Sequence, residues 1–96
     1  MAGPIFLMFA GKMTEAWYRL SQEEQNEIFA KLDAAIAQVG GKGILGCDAS
    51  WSGPWQFFGV EEYPDIEAVH KHAQLEGEVN WYRYADAVQI LGTKME

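Results

Sequence analysis

Apolar runs and amphipathic segments alternate along this chain in the order strand, helix, strand, strand, helix, strand. The strand-like runs lie at residues 5–11, 43–51, 55–63 and 85–94. Apolar residues recur every three to four positions at residues 22–39 and 66–76, which predicts two helices. This order predicts an α+β fold, namely a ferredoxin-like β-α-β-β-α-β plait whose four antiparallel strands carry both helices on one face.

Start and stop signals bound the two predicted helices. Ser21 and Glu24 have the spacing of a capping box, in which each side chain accepts a hydrogen bond from the other residue's backbone amide. Gly40 follows the first apolar stripe and suits the left-handed conformation that ends many helices. Asp65 is a typical N-cap for the second helix, and Gly77 is expected to interrupt it.

The first strand is apolar on both of its faces. Ile5, Leu7 and Phe9 alternate with other apolar side chains, so neither face is polar. A sheet with helices on one side only would leave the second face in water as a large apolar patch. Because packing sheet against sheet across a two-fold axis buries such a patch, we expect a homodimer.

Length and charge limit the classes of function. A chain of 96 residues is expected to form one domain over residues 1–96. Its net charge is −7 and its 7 basic residues are scattered, so neither nucleic acid nor an anionic membrane surface is an expected partner. No apolar run approaches the roughly 20 residues of a membrane span. The only cysteine, Cys47, allows no intrachain disulfide, which fits a reducing, cytoplasmic location.

Three stretches, at residues 14–24, 60–65 and 80–84, carry a resemblance to known proteins. With the order of elements, they make the chain similar to the dimeric α/β-barrel superfamily, which includes antibiotic-biosynthesis monooxygenases, muconolactone isomerase, EthD-like and YCII-like proteins. The chain also resembles small uncharacterised bacterial members of that superfamily. The resemblance spans nearly the whole chain and implies a homodimer that closes through its sheets as an α/β barrel.

The resemblance also implies a pocket between the sheet and its helices in each protomer. Members of the superfamily perform unrelated reactions there, so the fold alone assigns no reaction. Some members degrade haem with an Asn, a Trp and a His, but Asn80, Trp81 and His70 do not align with that pattern. The sequence also has no zinc-ligand cluster and no phosphate-binding loop, so neither a cofactor nor a metal site is predicted.

His70 and His72 are the only histidines. Two positions apart on a helix, they point about 200° apart around its axis and cannot share one metal ion. His70 is expected near the buried stripe, either as a catalytic general base or as a hydrogen-bonded structural histidine, and the structural role is favoured. His72 is expected nearer solvent, paired with Glu76 one turn later.

Aromatic residues on irregular segments are the candidate ligand-binding residues. Tyr18 lies in the connector after the first strand, whereas Trp81 and Tyr82 precede the last strand. We expect most other aromatic residues in the core and the dimer interface. The prediction is a cavity between the sheet and the second helix, bordered by His70, Trp81 and Tyr18, for a small apolar or aromatic ligand.

Two functions remain open at this point. The first is a small-molecule-binding protein that either binds or transforms an apolar or aromatic metabolite, in the second case as a cofactor-independent enzyme of monooxygenase or isomerase type. The alternative is a non-catalytic homodimeric binding or interaction module in which the aromatic residues are all structural. The surroundings of His70 separate the two, because a ring that opens into a cavity favours the enzyme.

Overall fold

A computed structural model describes residues 3–95 of the chain. Its helices and strands follow in the order β1 (Ile5–Met13), α1 (Glu15–Tyr18), α2 (Gln22–Gln38), β2 (Lys42–Asp48), β3 (Phe57–Tyr63), α3 (Ile66–Glu78), α4 (Trp81–Tyr84) and β4 (Ala85–Gly92).

The four strands form one antiparallel sheet in the order β2-β3-β1-β4. In β1, Leu7 lies opposite Glu61 of β3 on one side and Leu91 of β4 on the other. β2 pairs with β3 as the predicted hairpin, with a shift of register between Gly43 and Leu45. The α+β class and the β-α-β-β-α-β plait are therefore confirmed, and α1 and α4 add two short helices beside the ends of the strands.

The capping residues predicted from the sequence begin both long helices. Ser21 Oγ accepts from the Glu24 amide at 3.1 Å, and the Glu24 carboxylate accepts from the Ser21 amide at 2.9 Å. Asp65 Oδ1 accepts from the Ala68 amide at 2.8 Å. After α2 the chain turns at Gly40, whose φ of 76° is the left-handed conformation that glycine adopts without strain.

The loop between β2 and β3 is longer than the tight turn that the sequence predicts. β2 ends at Asp48, whose carboxylate accepts from the Ser50 amide at 2.9 Å and so turns the chain out of the sheet. β3 begins at Phe57, and just before it the Gln56 side chain accepts from the Met13 amide of β1 at 2.8 Å. Trp51 in this loop is 88% exposed and lies outside the strand predicted for it.

The core lies on the face of the sheet that the helices cover. Leu7 of β1 and Tyr63 of β3 pack there with Ala68 and Val69 of α3. Tyr63 is the largest side chain that is fully buried, at 0% exposure. Its ring therefore fixes the position of α3 over β3, and with it the polar residues that α3 carries.

The opposite face of the sheet is apolar and exposed, and we call it the open face. Cross-strand partners share a face, so the open face is built from alternate residues of all four strands. Its large exposed side chains are Met8, Leu45, Phe58, Val88 and Ile90.

Candidate functional site

A cavity of about 490 Å³ lies between the helix-covered face of the sheet and helices α2 and α3. Its volume falls in the range of roughly 300–1,000 Å³ that small-molecule sites occupy. Two residues of the exposed strand β4, Ala87 and Gln89, line it, so the cavity reaches the edge of the sheet. Most of the lining is apolar or aromatic, and the polar lining residues are Asp33, Glu61, His72, Glu76 and Gln89.

Two phenylalanine rings line the cavity because glycines leave room for them on the neighbouring strands. A Cβ at Gly11 would lie 2.6 Å from the ring of Phe57, and a Cβ at Gly59 would lie 2.6 Å from the ring of Phe9. At either distance a neighbouring group would have to shift to admit a side chain at the glycine. The two rings are 6.1 Å apart and together form an aromatic wall of the cavity.

Trp81 lines the cavity because the chain breaks sharply in front of it. Asn80 has a φ of 58°, a left-handed conformation that asparagine tolerates better than most residues. The break therefore lies at Asn80, three residues after the predicted interruption at Gly77, and α3 continues to Glu78. The Trp81 ring packs 6.0 Å from Trp17 and 6.4 Å from Phe29, so its position is fixed by an aromatic cluster.

Three polar side chains form a hydrogen-bonded chain beneath α3, which we call the Glu61–Tyr63–His72 chain. The Tyr63 hydroxyl donates to Glu61 Oε1 at 2.6 Å and lies 3.1 Å from His72 Nδ1. A tyrosine hydroxyl has one proton, so after donating to Glu61 it accepts from Nδ1. This assigns the neutral imidazole proton to Nδ1 and leaves Nε2 as an acceptor.

Nε2 of His72 is the unusual atom of the site. The residue is 4% exposed and lines the cavity, but Nε2 is buried without a hydrogen-bond partner among residues 3–95. A buried polar atom without a partner costs free energy and is uncommon in folded proteins. A ligand that donates a hydrogen bond to Nε2 would remove that cost.

Glu76 is the second buried ionisable residue, one turn after His72 on α3. It is 9% exposed, and its Oε1 lies 3.9 Å from His72 Nδ1, beyond hydrogen-bond distance. The Tyr82 hydroxyl of α4 donates to the same oxygen at 3.0 Å. The second carboxyl oxygen is thus left to carry a proton.

The protonation states follow from burial. Burial lowers the pKa of His72 below its usual value, and the charge of Glu61 opposes this shift only in part. Burial raises the pKa of Glu76 to about 7, against the opposing hydrogen bond from Tyr82. Burial and Glu61 also raise the pKa of Tyr63, so its hydroxyl keeps its proton. Near neutral pH the cavity therefore has a neutral base beside a partly protonated acid.

The described part of the chain offers no site for a metal ion built from three or more His, Cys, Asp or Glu side chains. None of its helices has the length and apolar character that crossing a membrane requires.

Residues 9–96 match a family of unknown function, DUF6616. This chain belongs to DUF6616. A comparison with curated proteins finds no match.

Solved structures share the fold of this DUF6616 member at low sequence identity. The putative chlorite dismutase TA0507 has a TM-score of 0.77 at 18% identity, over 100% of this chain and 47% of that chain. SnoaB, a cofactor-independent oxygenase from Streptomyces nogalater, has a TM-score of 0.57 at 13% identity, over 99% of this chain and 96% of that chain. A dimeric protein of unknown function and ferredoxin-like fold from Bacteroides fragilis NCTC 9343 has a TM-score of 0.52 at 12% identity, over 94% of this chain and 95% of that chain. These likenesses confirm the ferredoxin-like fold that the sequence indicated.

Of the site residues predicted from the sequence, only some lie at the cavity in the DUF6616 structure. Trp81 lines the cavity. Tyr82 does not line it, but its hydroxyl donates a hydrogen bond to the lining residue Glu76. Tyr18 is 62% exposed and pairs with the side chain of Gln56 instead of bordering the cavity. His70 is exposed and does not line the cavity, so the position predicted for its ring is wrong.

The error in α3 is one of helix phase. The predicted buried stripe began at Ile66, but that side chain is 43% exposed. Val69 is buried as predicted, but the helix buries His72 and Glu76 with it, at spacings of three and four on one face. Polar residues occupy the inner face because hydroxyl groups of β3 and α4 pair with them. His70 therefore points outward and His72 inward, the reverse of the prediction.

Proposed function

We propose that this DUF6616 member binds a small, mostly apolar molecule in its cavity and moves a proton on that molecule without a cofactor. The observation that carries the proposal is the Glu61–Tyr63–His72 chain at the cavity wall, which leaves Nε2 of His72 as an acceptor. The ring-lined walls supply the apolar contacts, with Trp81 as a stacking surface. The fold likeness to SnoaB is compatible with cofactor-independent chemistry on this scaffold.

The proposed reaction is enolisation of a carbonyl compound. Nε2 of His72 takes a proton from the carbon beside the carbonyl group and becomes an imidazolium, which Glu61 stabilises through Tyr63. Protonated Glu76 gives its proton to the carbonyl oxygen, so the product is a neutral enol and the charge moves to the two side chains. Reversal with the proton placed on another carbon is an isomerisation, whereas reversal at the same carbon exchanges that hydrogen with solvent.

Exchange with solvent gives an assay that needs no knowledge of the natural substrate. 2-Tetralone is a neutral aromatic ketone with an acidic C–H group, and its exchange in D₂O is followed by proton NMR. We expect the protein to accelerate this exchange above the rate in buffer, and 2-tetralone to change the tryptophan fluorescence. An exchange rate equal to that of buffer at saturating ketone would contradict the proposal.

The alternative is a non-catalytic binding module, and the burial of Nε2 favours it. Because this atom is shielded from water, a ligand reaches it only when neighbouring side chains move. Binding of 2-tetralone without accelerated exchange would support the module. The cytoplasmic location expected from Cys47 stays a prediction.

We also propose that the protein is a homodimer joined through the open face. The large apolar side chains of that face are between 42% and 61% exposed in one chain, which is costly for a monomer in water. A dimeric neighbour of the same fold supports this assembly.

Sedimentation equilibrium at micromolar concentration is expected to give twice the 10.8 kDa mass of one chain. Ile90→Asp places a charge on the open face at a residue that is 61% exposed, and it should shift the mass toward that of the monomer. Ile66→Asp, at an exposed position of α3 on the other side of the sheet, should leave the dimer intact. A monomeric wild type would exclude the proposed assembly.

A further inference from the structure

The charged side chains that line the cavity are all acidic. Its lining contains the carboxyl groups of Asp33, Glu61 and Glu76 but no lysine or arginine. The 7 basic residues of the chain are all exposed elsewhere, and Arg19, for example, is paired with Glu15 at 2.6 Å. The only cationic candidate in the lining is His72, which burial keeps neutral.

Hydrogen-bond acceptors also predominate over donors in the lining of the cavity. Carboxylate oxygens and Nε2 of His72 accept hydrogen bonds, and the hydroxyl donors of Tyr63 and Tyr82 are already used within the protein. The neutral donors of the lining are the side-chain amide of Gln89 and the indole of Trp81. An anionic ligand would therefore meet carboxylates without a cationic side chain to balance its charge. A ligand with a hydroxyl or ammonium group can donate to these acceptors, and the aromatic rings also tolerate a cation.

From this negatively charged lining we propose that the cavity selects aromatic compounds that carry no negative charge, and excludes aromatic carboxylates. This selection rests on the proposed function, since it names the ligand class of the same cavity. It excludes aromatic acids as substrates and leaves neutral alcohols, enolisable ketones and amines.

Three ligands of matched shape test the selection: 2-naphthalenemethanol, 2-naphthylmethylamine and 2-naphthoate. Binding is measured by calorimetry at pH 8, where the amine is a cation and the acid an anion. We expect the alcohol and the amine each to bind at least tenfold more tightly than the naphthoate. Equal or tighter binding of the naphthoate would overturn the selection and leave the binding function standing.

Matched variants connect the selection to the cavity. Glu76→Gln removes a charge and keeps an acceptor of the same shape, so the preference for alcohol over naphthoate should fall at least threefold. Glu78→Gln, two residues away at an exposed position of the same helix, should leave the preference unchanged. Asp33→Asn, at an exposed lining position of α2, should also lower the preference for alcohol over naphthoate. This variant replaces Glu76→Gln in the test if the buried substitution prevents folding.

The outcomes also separate the two proposals. An unchanged preference in both Glu76→Gln and Asp33→Asn would show that the lining charges do not set the selection. If none of the three ligands binds and 2-tetralone exchange is absent, the proposed function is wrong and the selection is wrong with it.

Discussion

Replacing His72 by glutamine is expected to lower the protein-catalysed exchange of 2-tetralone by about 100-fold or more, the scale of a lost general base. Glutamine has a similar size and keeps hydrogen-bonding atoms, but it cannot take up a proton at neutral pH. Exchange is followed by proton NMR at saturating ketone, with circular dichroism to show that the variant is folded. The matched control is His70→Gln on the same helix, which should exchange like the wild type because His70 is exposed.

The pH profile of the exchange follows from the same two groups. Exchange needs neutral His72, so it should fall as the pH drops below the lowered pKa of this imidazole. It also needs protonated Glu76, so it should fall again as the pH rises through about 7. The rate should therefore pass through a maximum on the acid side of neutrality. A rate that simply rises with pH, or a His70→Gln variant as impaired as His72→Gln, would contradict the assignment.

Replacing Tyr63 by alanine is expected to lower the free energy of unfolding by about 3–5 kcal/mol, the usual cost of truncating a buried aromatic side chain. The side chain is fully buried and belongs to the cluster that fixes α3 over the sheet. Its loss also leaves Glu61 and His72 Nδ1 without the hydroxyl that joins them. Urea unfolding at a fixed protein concentration measures the loss, since a dimer makes apparent stability depend on concentration.

Tyr63→Phe measures the contribution of the hydroxyl group separately from that of the ring. It keeps the packing and removes only the hydrogen bonds, so we expect a smaller loss of about 1–3 kcal/mol. It should also lower the exchange of 2-tetralone, because nothing then holds the His72 proton on Nδ1. If Tyr63→Phe were as stable and as active as the wild type, the hydroxyl would have no part in the site.

The fold was predictable because its signals are local. The capping residues Ser21, Glu24 and Asp65 act within one helical turn, and the sequence alone located the helix starts that they set. The two-sided apolar character of β1 likewise predicted a face that the helices leave open. The length of the loop before β3 has no such local signal, and its residue Gln56 bonds to β1, which is distant in sequence.

The site was only partly predictable. Trp81 was found from its place before the last strand, and its neighbour Asn80 provides the break that positions it. The apolar residues alone indicate the wrong phase for α3, and the sequence therefore favours His70 over His72 as the inward histidine. The spacing of His72 and Glu76 was visible in the sequence, as was the alternation that puts Glu61 and Tyr63 on one face of β3. What joins them is tertiary contact across sheet and helix, which no local pattern shows.

The central claim is that His72 is held as a neutral imidazole with its proton on Nδ1 and with Nε2 free to accept. Long-range proton–nitrogen NMR of ¹⁵N-labelled protein reads both ring nitrogens directly, and exposed His70 provides a second set of signals assigned with His70→Gln. At pH 7.5 we predict a protonated Nδ1 and an unprotonated Nε2 for His72, with a loss of this single tautomer in Tyr63→Phe. A His72 ring protonated on Nε2, or on both nitrogens, would contradict the account.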